Sequence, residues 1–140
     1  MRTQKIRRAG YGRTPETISH YALANKWESL VVTSGQTAVD SGTGELITGG
    51  ITEQTRQTLF NMKNVLKAAG SGLDRIIKTT VFLKDINDIE AVNAVFAEFF
   101  GKGGYPARSI MQVGRLPKDA LIEIETIAVK NSFDPMIRLL

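Results

Sequence analysis

The hydrophobic residues of this 140-residue chain change their spacing several times, and that succession limits the fold more than any other feature of the sequence. Residues 18–50 are strand-like, because residues 29–34 are rich in β-branched side chains. Residues 41–44 supply a turn before a short strand at residues 45–47, so this region predicts a sheet meander with a hairpin. The segments that follow alternate between helical and strand-like spacing, which predicts an α+β domain.

Two segments have the spacing of amphipathic helices. We predict the first helix from Thr52, as its N-cap, to Ala69, with Gly70 as the residue that ends it. The second helix ends at the glycine-rich residues 101–104. The apolar face of the first helix is formed by Leu59, Met62, Leu66 and Ala69, and that of the second by Ile89, Val92, Phe96, Phe99 and Phe100.

Further strands are predicted at residues 76–83, 109–113 and 120–129, the last two joined by a turn at residues 116–119. The expected architecture is one α+β domain over residues 1–140, with a mixed β-sheet and two helices packed on one face. The tail at residues 131–140 follows the last strand.

Composition excludes several classes of protein. The hydrophobic fraction of 42% and charged fraction of 23% suit one globular domain. The absence of cysteine excludes disulfide scaffolds, thiolate zinc sites and cysteine nucleophiles. With one histidine and no GxSxG, Walker A or GxGxxG motif, metal hydrolysis and nucleotide chemistry lose most of their support, and we predict neither a metal nor a cofactor.

The net charge of +4 comes largely from a basic N-terminal arm at residues 1–15. Elsewhere basic and acidic residues are interleaved, so we interpret the surface as solvated and mildly basic rather than as a nucleic-acid-binding face. No apolar run approaches the roughly 18 residues that a membrane span needs, and no signal-peptide core follows the arm. We therefore predict a cytoplasmic protein without a membrane or nucleic-acid partner.

Two glutamates alternate with isoleucines in the last strand. Glu123 and Glu125 should share one sheet face, with Ile122 and Ile124 on the other. In an isolated antiparallel sheet a solvated face is the more common reason for such carboxylates. In a cleft between subunits, one of them could instead orient a water or move a proton. The pattern is compatible with both interpretations.

Arg108 follows Tyr105-Pro106 at the start of a predicted strand, and its fork of donors suits capture of a small carboxylate. Taken singly, an arginine after a loop is more often a surface residue. His20 and Tyr21 are neighbours in an extended segment, so they should point to opposite faces, and only one of them can enter a given pocket.

Five tracts of the sequence form a recognisable set: Thr33-Ser-Gly-Gln36, Lys78-Thr-Thr-Val-Phe-Leu-Lys-Asp85, Tyr105-Pro-Ala-Arg-Ser109, Arg115-Leu-Pro-Lys-Asp119 and Ile122-Glu-Ile-Glu-Thr-Ile-Ala-Val129. In their order and spacing, over residues 16–130, they resemble the Rid (YjgF) family of reactive-intermediate deaminases. The resemblance implies a chorismate-mutase-like α+β fold and a homotrimer with a pocket at each subunit interface. It also implies hydrolysis of enamine or imine acids, such as 2-aminoacrylate, to 2-keto acids and ammonia without a cofactor.

Site residues follow from the same resemblance. It assigns Arg108 to the substrate carboxylate and Glu123 to the hydrolytic water, and it makes these two the catalytic pair. Tyr21 matches an aromatic wall residue, Gly35 a backbone contact with the substrate, and Asn93 an asparagine near the pocket.

The chain departs from the family pattern at two positions. Ile110 stands where many members have a pocket cysteine, and His20 stands where a proline precedes the tyrosine. A β-branched side chain at a substrate-binding position predicts a preference for larger or more apolar imines. Two other functions stay open: a regulatory or chaperone-like protein that binds small acids without turnover, and a ribonuclease or RNA-binding translation inhibitor.

Overall fold

The computed structural model describes residues 4–6, 21–101 and 103–131, which form a six-stranded sheet with two helices on one face. The strands are β1 (Gln4–Ile6), β2 (Ala24–Trp27), β3 (Leu30–Thr33), β4 (Ile76–Leu83), β5 (Ala107–Gln112) and β6 (Ile122–Val129). The helices are α1 (Ile51–Ala68) and α2 (Ile89–Phe100). Single 3-10 turns lie at Leu73–Arg75, Ile86–Asp88 and Pro117–Asp119.

The sheet order is β1-β2-β3-β6-β4-β5. All neighbouring strands are antiparallel except β4 and β5, which are parallel. A parallel pair needs a long crossover connection, and α2 supplies it. The predicted α+β class with a mixed sheet is confirmed.

The core lies between the helices and one sheet face. Buried side chains come from α1 (Leu59, Met62, Val65 and Leu66), from α2 (Val92, Val95 and Phe96) and from the strands (Val31, Val81, Leu83, Ile122 and Ile124). The opposite sheet face also carries exposed apolar side chains, namely Leu30, Val32, Met111 and Ile127. Both helices pack on the core-facing side of the sheet. Among the described residues, no helix or strand covers the opposite side.

The prediction that Thr52 caps α1 was wrong. The N-cap is Gly50, and the helix begins at Ile51. Glu53 decides this boundary, because its Oε2 atom accepts a hydrogen bond from the Gly50 backbone N–H at 2.9 Å and places a negative charge at the positive helix end. Gly70 ends the helix as predicted, with a φ of 78° that suits glycine.

The predicted strand at residues 45–47 was also wrong, since this segment makes only an isolated bridge between Val39 and Leu46. The Asp40 carboxylate accepts hydrogen bonds from the backbone N–H groups of Gly42 and Thr43, at 2.8 and 2.9 Å. These bonds form a tight turn directly after Val39. The residues on either side of the turn therefore pair only at Val39 and Leu46 and do not form a continuous two-stranded ladder.

Several strand limits differ from the predictions. β5 begins earlier, at Ala107, because Ala107 and Arg108 pair with Lys78 and Thr79 of β4. β6 begins later, because the backbone N–H of Ala120 closes the 3-10 turn onto Pro117. Strand β1, within the basic arm, was not predicted, whereas β4 has its predicted limits. His20 and the tail from residue 132 onward lie outside the described residues.

Candidate active site

Arg108 lies on the helix-covered side of β5, above α2. Its Nη1 atom donates a hydrogen bond to the Oδ1 atom of Asn93 at 2.8 Å. Its Cζ atom lies 5.2 Å from the centre of the Phe96 ring, a distance typical of a cation–π contact. Asn93 and Phe96 are three residues apart on α2 and therefore share one helical face. The guanidinium is thus held from two sides, and within the described chain its other N–H groups are unengaged.

The guanidinium opens onto a cleft with a volume of about 320 Å³. The cleft is lined by Asn93, Phe96, Tyr105, Pro106 and Arg108. Tyr105 is half exposed, and its ring centre lies 6.5 Å from that of Phe100, which contacts Phe96 in turn. A mainly apolar cleft of this size with one cation suits a small molecule that combines a carboxylate with an apolar group.

Glu123 belongs to a second group, on the other face of the sheet. The predicted alternation is confirmed, because Ile122 and Ile124 are fully buried while Glu123 is half-buried and Glu125 is exposed. Burial raises the pKa of the Glu123 carboxyl above its usual range, and the nearby charge of Glu125 raises it further.

Gly35 lies directly against the Glu123 side chain. A Cβ atom at position 35 would stand 2.8 Å from the Cδ atom of Glu123 and would overlap its carboxylate oxygen, so only glycine leaves the carboxyl in place. Tyr21 is exposed near this group, since the backbone after it pairs with Ser34 through the carbonyls of Ala22 and Leu23.

Within one chain the two groups do not meet. Arg108 pairs with Thr79 of β4, whereas Glu123 pairs with Phe82. Positions 79 and 82 point to opposite sheet faces, because side chains alternate along a strand. Two strand spacings and three residues along β4 separate the Cα atoms of Arg108 and Glu123 by roughly 14 Å.

A family model described as Endoribonuclease L-PSP matches residues 11–130. The fold is also that of a solved Yersinia pestis protein of the conserved Rid protein family, with a TM-score of 0.83 and 38% identity over 91% of this chain and 99% of that one. This chain belongs to the Rid (YjgF) family.

Named Rid relatives are similar over most of their length. The 2-iminobutanoate/2-iminopropanoate deaminase of Salmonella typhimurium is 46% identical over 84% of this chain and 92% of its own. The crystal structure of Escherichia coli TdcF with bound serine has a TM-score of 0.81 and 42% identity, covering 91% of this chain and all of that one. Relatives of this Rid protein are thus named as deaminases of small imino acids.

Ile110, which the Rid pattern places in the pocket, packs against the hydrophobic core. It faces the helices two residues after Arg108, and it is not among the residues that line the cleft in the described part of the chain.

Sequence reasoning missed the aromatic part of this Rid site. Phe96 was interpreted only as a core residue of α2, yet it is buried and also supports the Arg108 guanidinium. The three-residue spacing from Asn93 was the available signal, because it places both side chains on one face of α2. Tyr105 was quoted only as part of a motif, and it forms the exposed wall of the cleft.

Two further findings concern the described ranges alone. No three His, Cys, Asp or Glu side chains there lie close enough together to hold a metal ion. No helix there is long and apolar enough to cross a membrane.

Proposed function

We propose that this chain hydrolyses 2-imino acids and their enamine tautomers to 2-keto acids and ammonia. The observation that carries the proposal is the Arg108 guanidinium, held by Asn93 and Phe96 at the edge of an apolar cleft of about 320 Å³. The names of close relatives as 2-iminobutanoate/2-iminopropanoate deaminases support the same chemistry.

Arg108 binds the substrate carboxylate in this proposal. Asn93 uses one of its N–H groups, and the remaining donors of the planar fork can take both carboxylate oxygens. Contact with Phe96 limits the rotation of the guanidinium, so the bound carboxylate fixes where the imine carbon lies. This positioning lowers the entropic part of the barrier. The serine bound in the TdcF structure is a small molecule with a carboxylate of this kind.

Glu123 handles the water. The enamine first takes a proton on carbon and becomes the protonated imine. A water oxygen then bonds to the imine carbon, the π electrons of the C=N bond move to nitrogen, and the water loses a proton to the Glu123 carboxylate. Glu123 passes this proton to the nitrogen of the carbinolamine. The C–N bond then breaks to release ammonia, and the hydroxyl group gives its proton back to the Glu123 carboxylate as the C=O bond of the keto acid forms. The raised pKa of Glu123 suits a group that must both accept and release this proton.

A second copy of the chain completes the site. Arg108 and Glu123 of one chain lie on opposite sheet faces, so one substrate can contact both only if they come from different chains. The face that carries Glu123 also has the exposed apolar side chains of Leu30, Val32 and Ile127, which suit burial against a partner. We propose the homotrimer of the family, with Arg108 from one subunit beside Glu123 from the next.

The activity is tested with imines made in situ by an amino-acid oxidase or by a pyridoxal-dependent dehydratase acting on serine or threonine. Semicarbazide traps the imine, and release of the keto acid in competition measures enzymatic hydrolysis. We expect the wild type to accelerate release and Arg108→Ala to abolish the acceleration. Arg115→Ala is the matched control, because Arg115 forms an exposed ion pair with Asp119 and should leave the rate unchanged. No acceleration by the wild type, or full acceleration by Arg108→Ala, refutes the mechanism.

Mixed oligomers test the shared site. We expect Arg108→Ala and Glu123→Ala each to be inactive, whereas an equal mixture, unfolded and refolded together, should regain about one quarter of wild-type activity. About one quarter of random interfaces combine an intact Arg108 with an intact Glu123 across the two chains. A mixture as inactive as its components would mean that both residues act within one chain.

The binding-only alternative predicts a different result with the same samples. A regulatory protein would bind a 2-keto acid through Arg108 and show no turnover of any imine. Binding of a 2-keto acid in calorimetry, together with an imine half-life that the protein leaves unchanged, would favour this alternative.

For the hydrolase, Ile110→Cys tests the predicted preference for larger imines. Equal turnover of small and bulky imines by the wild type and by this variant would contradict that preference.

A further inference from the structure

The contact between Gly35 and Glu123 joins two distant segments of the chain. Residues 34–39 follow β3, and residues 120–124 contain the start of β6. A pair of backbone hydrogen bonds links them, since the Gln36 N–H donates to the Ile124 carbonyl at 2.8 Å and the Ile124 N–H donates to the Gln36 carbonyl at 3.0 Å. The position of the carboxyl therefore depends on whatever holds these two segments.

Helix α1 holds both segments through the side-chain amides of Gln54 and Asn61. The Oε1 atom of the buried Gln54 accepts a hydrogen bond from the Leu121 N–H at 2.9 Å. The Nδ2 atom of Asn61 donates to the carbonyls of Thr37 and Val39, at 3.0 and 2.8 Å.

Asn61 is itself held in one orientation. Gln57, one turn earlier on α1, donates from Nε2 to the Oδ1 atom of Asn61 at 2.9 Å. The Asn61 amide thus uses its oxygen and both of its N–H groups at once. Neither aspartate nor alanine can reproduce this arrangement, because a carboxylate has no hydrogen to donate and a methyl group makes no hydrogen bond.

We propose that Asn61 is a positioning residue, which holds the Gly35 backbone against the Glu123 side chain by anchoring Thr37 and Val39 to α1. Its effect on turnover rests on the proposed hydrolase function. Its effect on the surroundings of Glu123 does not, and this difference lets the two proposals fail separately.

The environment of Glu123 supplies a direct readout. Gly35 faces its side chain from the loop, Phe82 lies opposite on β4, and Glu125 is the charged neighbour. Burial is the first cause of the raised pKa of Glu123. If the loop that carries Gly35 loosens, water reaches the carboxyl and the pKa moves back toward its ordinary value.

The experiment compares Asn61→Ala and Asn61→Asp with the wild type as full-length proteins. In activity assays we expect kcat to fall roughly tenfold while KM stays within about twofold, because misplacing a reacting group slows the chemical step more than it weakens carboxylate binding. In a carbon-13 NMR titration, the Glu123 carboxyl, assigned with Glu123→Gln, should titrate at a lower pH in Asn61→Ala, the variant that adds no charge of its own.

Arg56→Ala is the matched control. Arg56 lies on α1 and forms an exposed, two-point ion pair with Glu98 of α2, so its loss perturbs the helix without touching either segment. It should leave kcat and the Glu123 titration unchanged. Gln57→Ala is the milder second variant, should the Asn61 variants fail to fold, and it should shift the titration in the same direction by a smaller amount.

The outcomes separate the proposals. A Glu123 titration in the folded variants that equals that of the wild type overturns the positioning role, whatever the activity. Wild-type kcat in Asn61→Ala overturns it as well. A wild type without deaminase activity refutes the proposed function alone, and the shifted titration would still establish that Asn61 positions the carboxyl.

Discussion

Adding one methyl group at Gly35 tests the geometry of the Glu123 side more sharply than removing the carboxylate. In Gly35→Ala the new Cβ atom would stand 2.8 Å from Cδ and 2.9 Å from Cγ of Glu123. Carbon atoms in van der Waals contact lie about 3.5–4.0 Å apart, so the carboxyl must retreat by about 1 Å. A displacement of this size costs on the order of 100-fold in rate when the group must be placed for reaction.

Stability should change little in the same variant. The backbone of Gly35 lies outside the left-handed region, so alanine fits its conformation. The atoms in conflict belong to a half-buried side chain that can turn toward solvent, which keeps the cost below the roughly 1–3 kcal/mol of an overpacked core. The smaller entropy of the unfolded chain offsets part of this, by about 0.4–1 kcal/mol. We therefore expect a large loss of kcat with a melting temperature within a few degrees of the wild type.

The assay is imine hydrolysis in competition with semicarbazide, with thermal unfolding followed by circular dichroism. Gly114→Ala is the control, because a Cβ atom there would meet no atom within 4 Å. The variant is repeated in a Glu123→Ala background, where the methyl group has no carboxyl to displace and should cost almost nothing. Wild-type kcat in Gly35→Ala, or an equal loss in both backgrounds, would refute the reasoning.

Three further predictions follow from individual contacts. Asn93→Ala should raise KM roughly tenfold, because Arg108 loses the acceptor that orients it, and Asn93→Asp should raise KM further by neutralising the guanidinium; steady-state kinetics on one imine measures both. Thr126→Val should destabilise the fold by about 1–3 kcal/mol in urea unfolding, because its buried hydroxyl contacts Thr33 and the Met62 sulfur, whereas Thr58→Val should be neutral or stabilising, because the Thr58 hydroxyl is buried without a partner in the described structure. In an Arg108→Ala background, which removes the positive charge that a second copy would bring to Glu123, Glu123→Gln should raise stability at pH 7 and leave it unchanged below pH 4.5. A carboxyl whose pKa is raised in the folded state makes stability fall as pH rises from 4.5 through that raised value, and glutamine does not titrate; unfolding at several pH values measures the difference.

Local patterns predicted the elements, because hydrophobic spacing acts over a few residues. The limits of β4 and the end of α1 at Gly70 followed from such patterns. The start of α1 did not, because Gly50 and Thr52 are both acceptable N-caps and the choice depends on where the Glu53 side chain bonds. The start of β6 likewise depends on the 3-10 turn at Pro117–Asp119, whose last two residues have positive φ values that no hydrophobic pattern reports.

For the candidate site, the sequence predicted Arg108, Asn93 and Glu123 but neither the aromatic residues of the cleft nor the spatial arrangement of the site. Alternation within β6 correctly placed both glutamates on one face, since that rule needs a single strand. The face that Arg108 occupies relative to Glu123 depends on how β5 and β6 each pair with β4. That register joins segments far apart in sequence. A shift of one residue in either pairing would place Arg108 and Glu123 on the same face of the sheet.

Placing Arg108 and Glu123 on opposite faces has an electrostatic consequence. An ion pair within one chain would lower the pKa of Glu123 and occupy the guanidinium, and neither group would then be available for a substrate. In the proposed assembly, Arg108 of a second copy approaches Glu123, so the positive charge opposes the effect of burial while the site is empty. A bound carboxylate neutralises that charge, and the pKa of Glu123 rises again once substrate is held. The carboxyl therefore becomes the stronger base when the imine is in place.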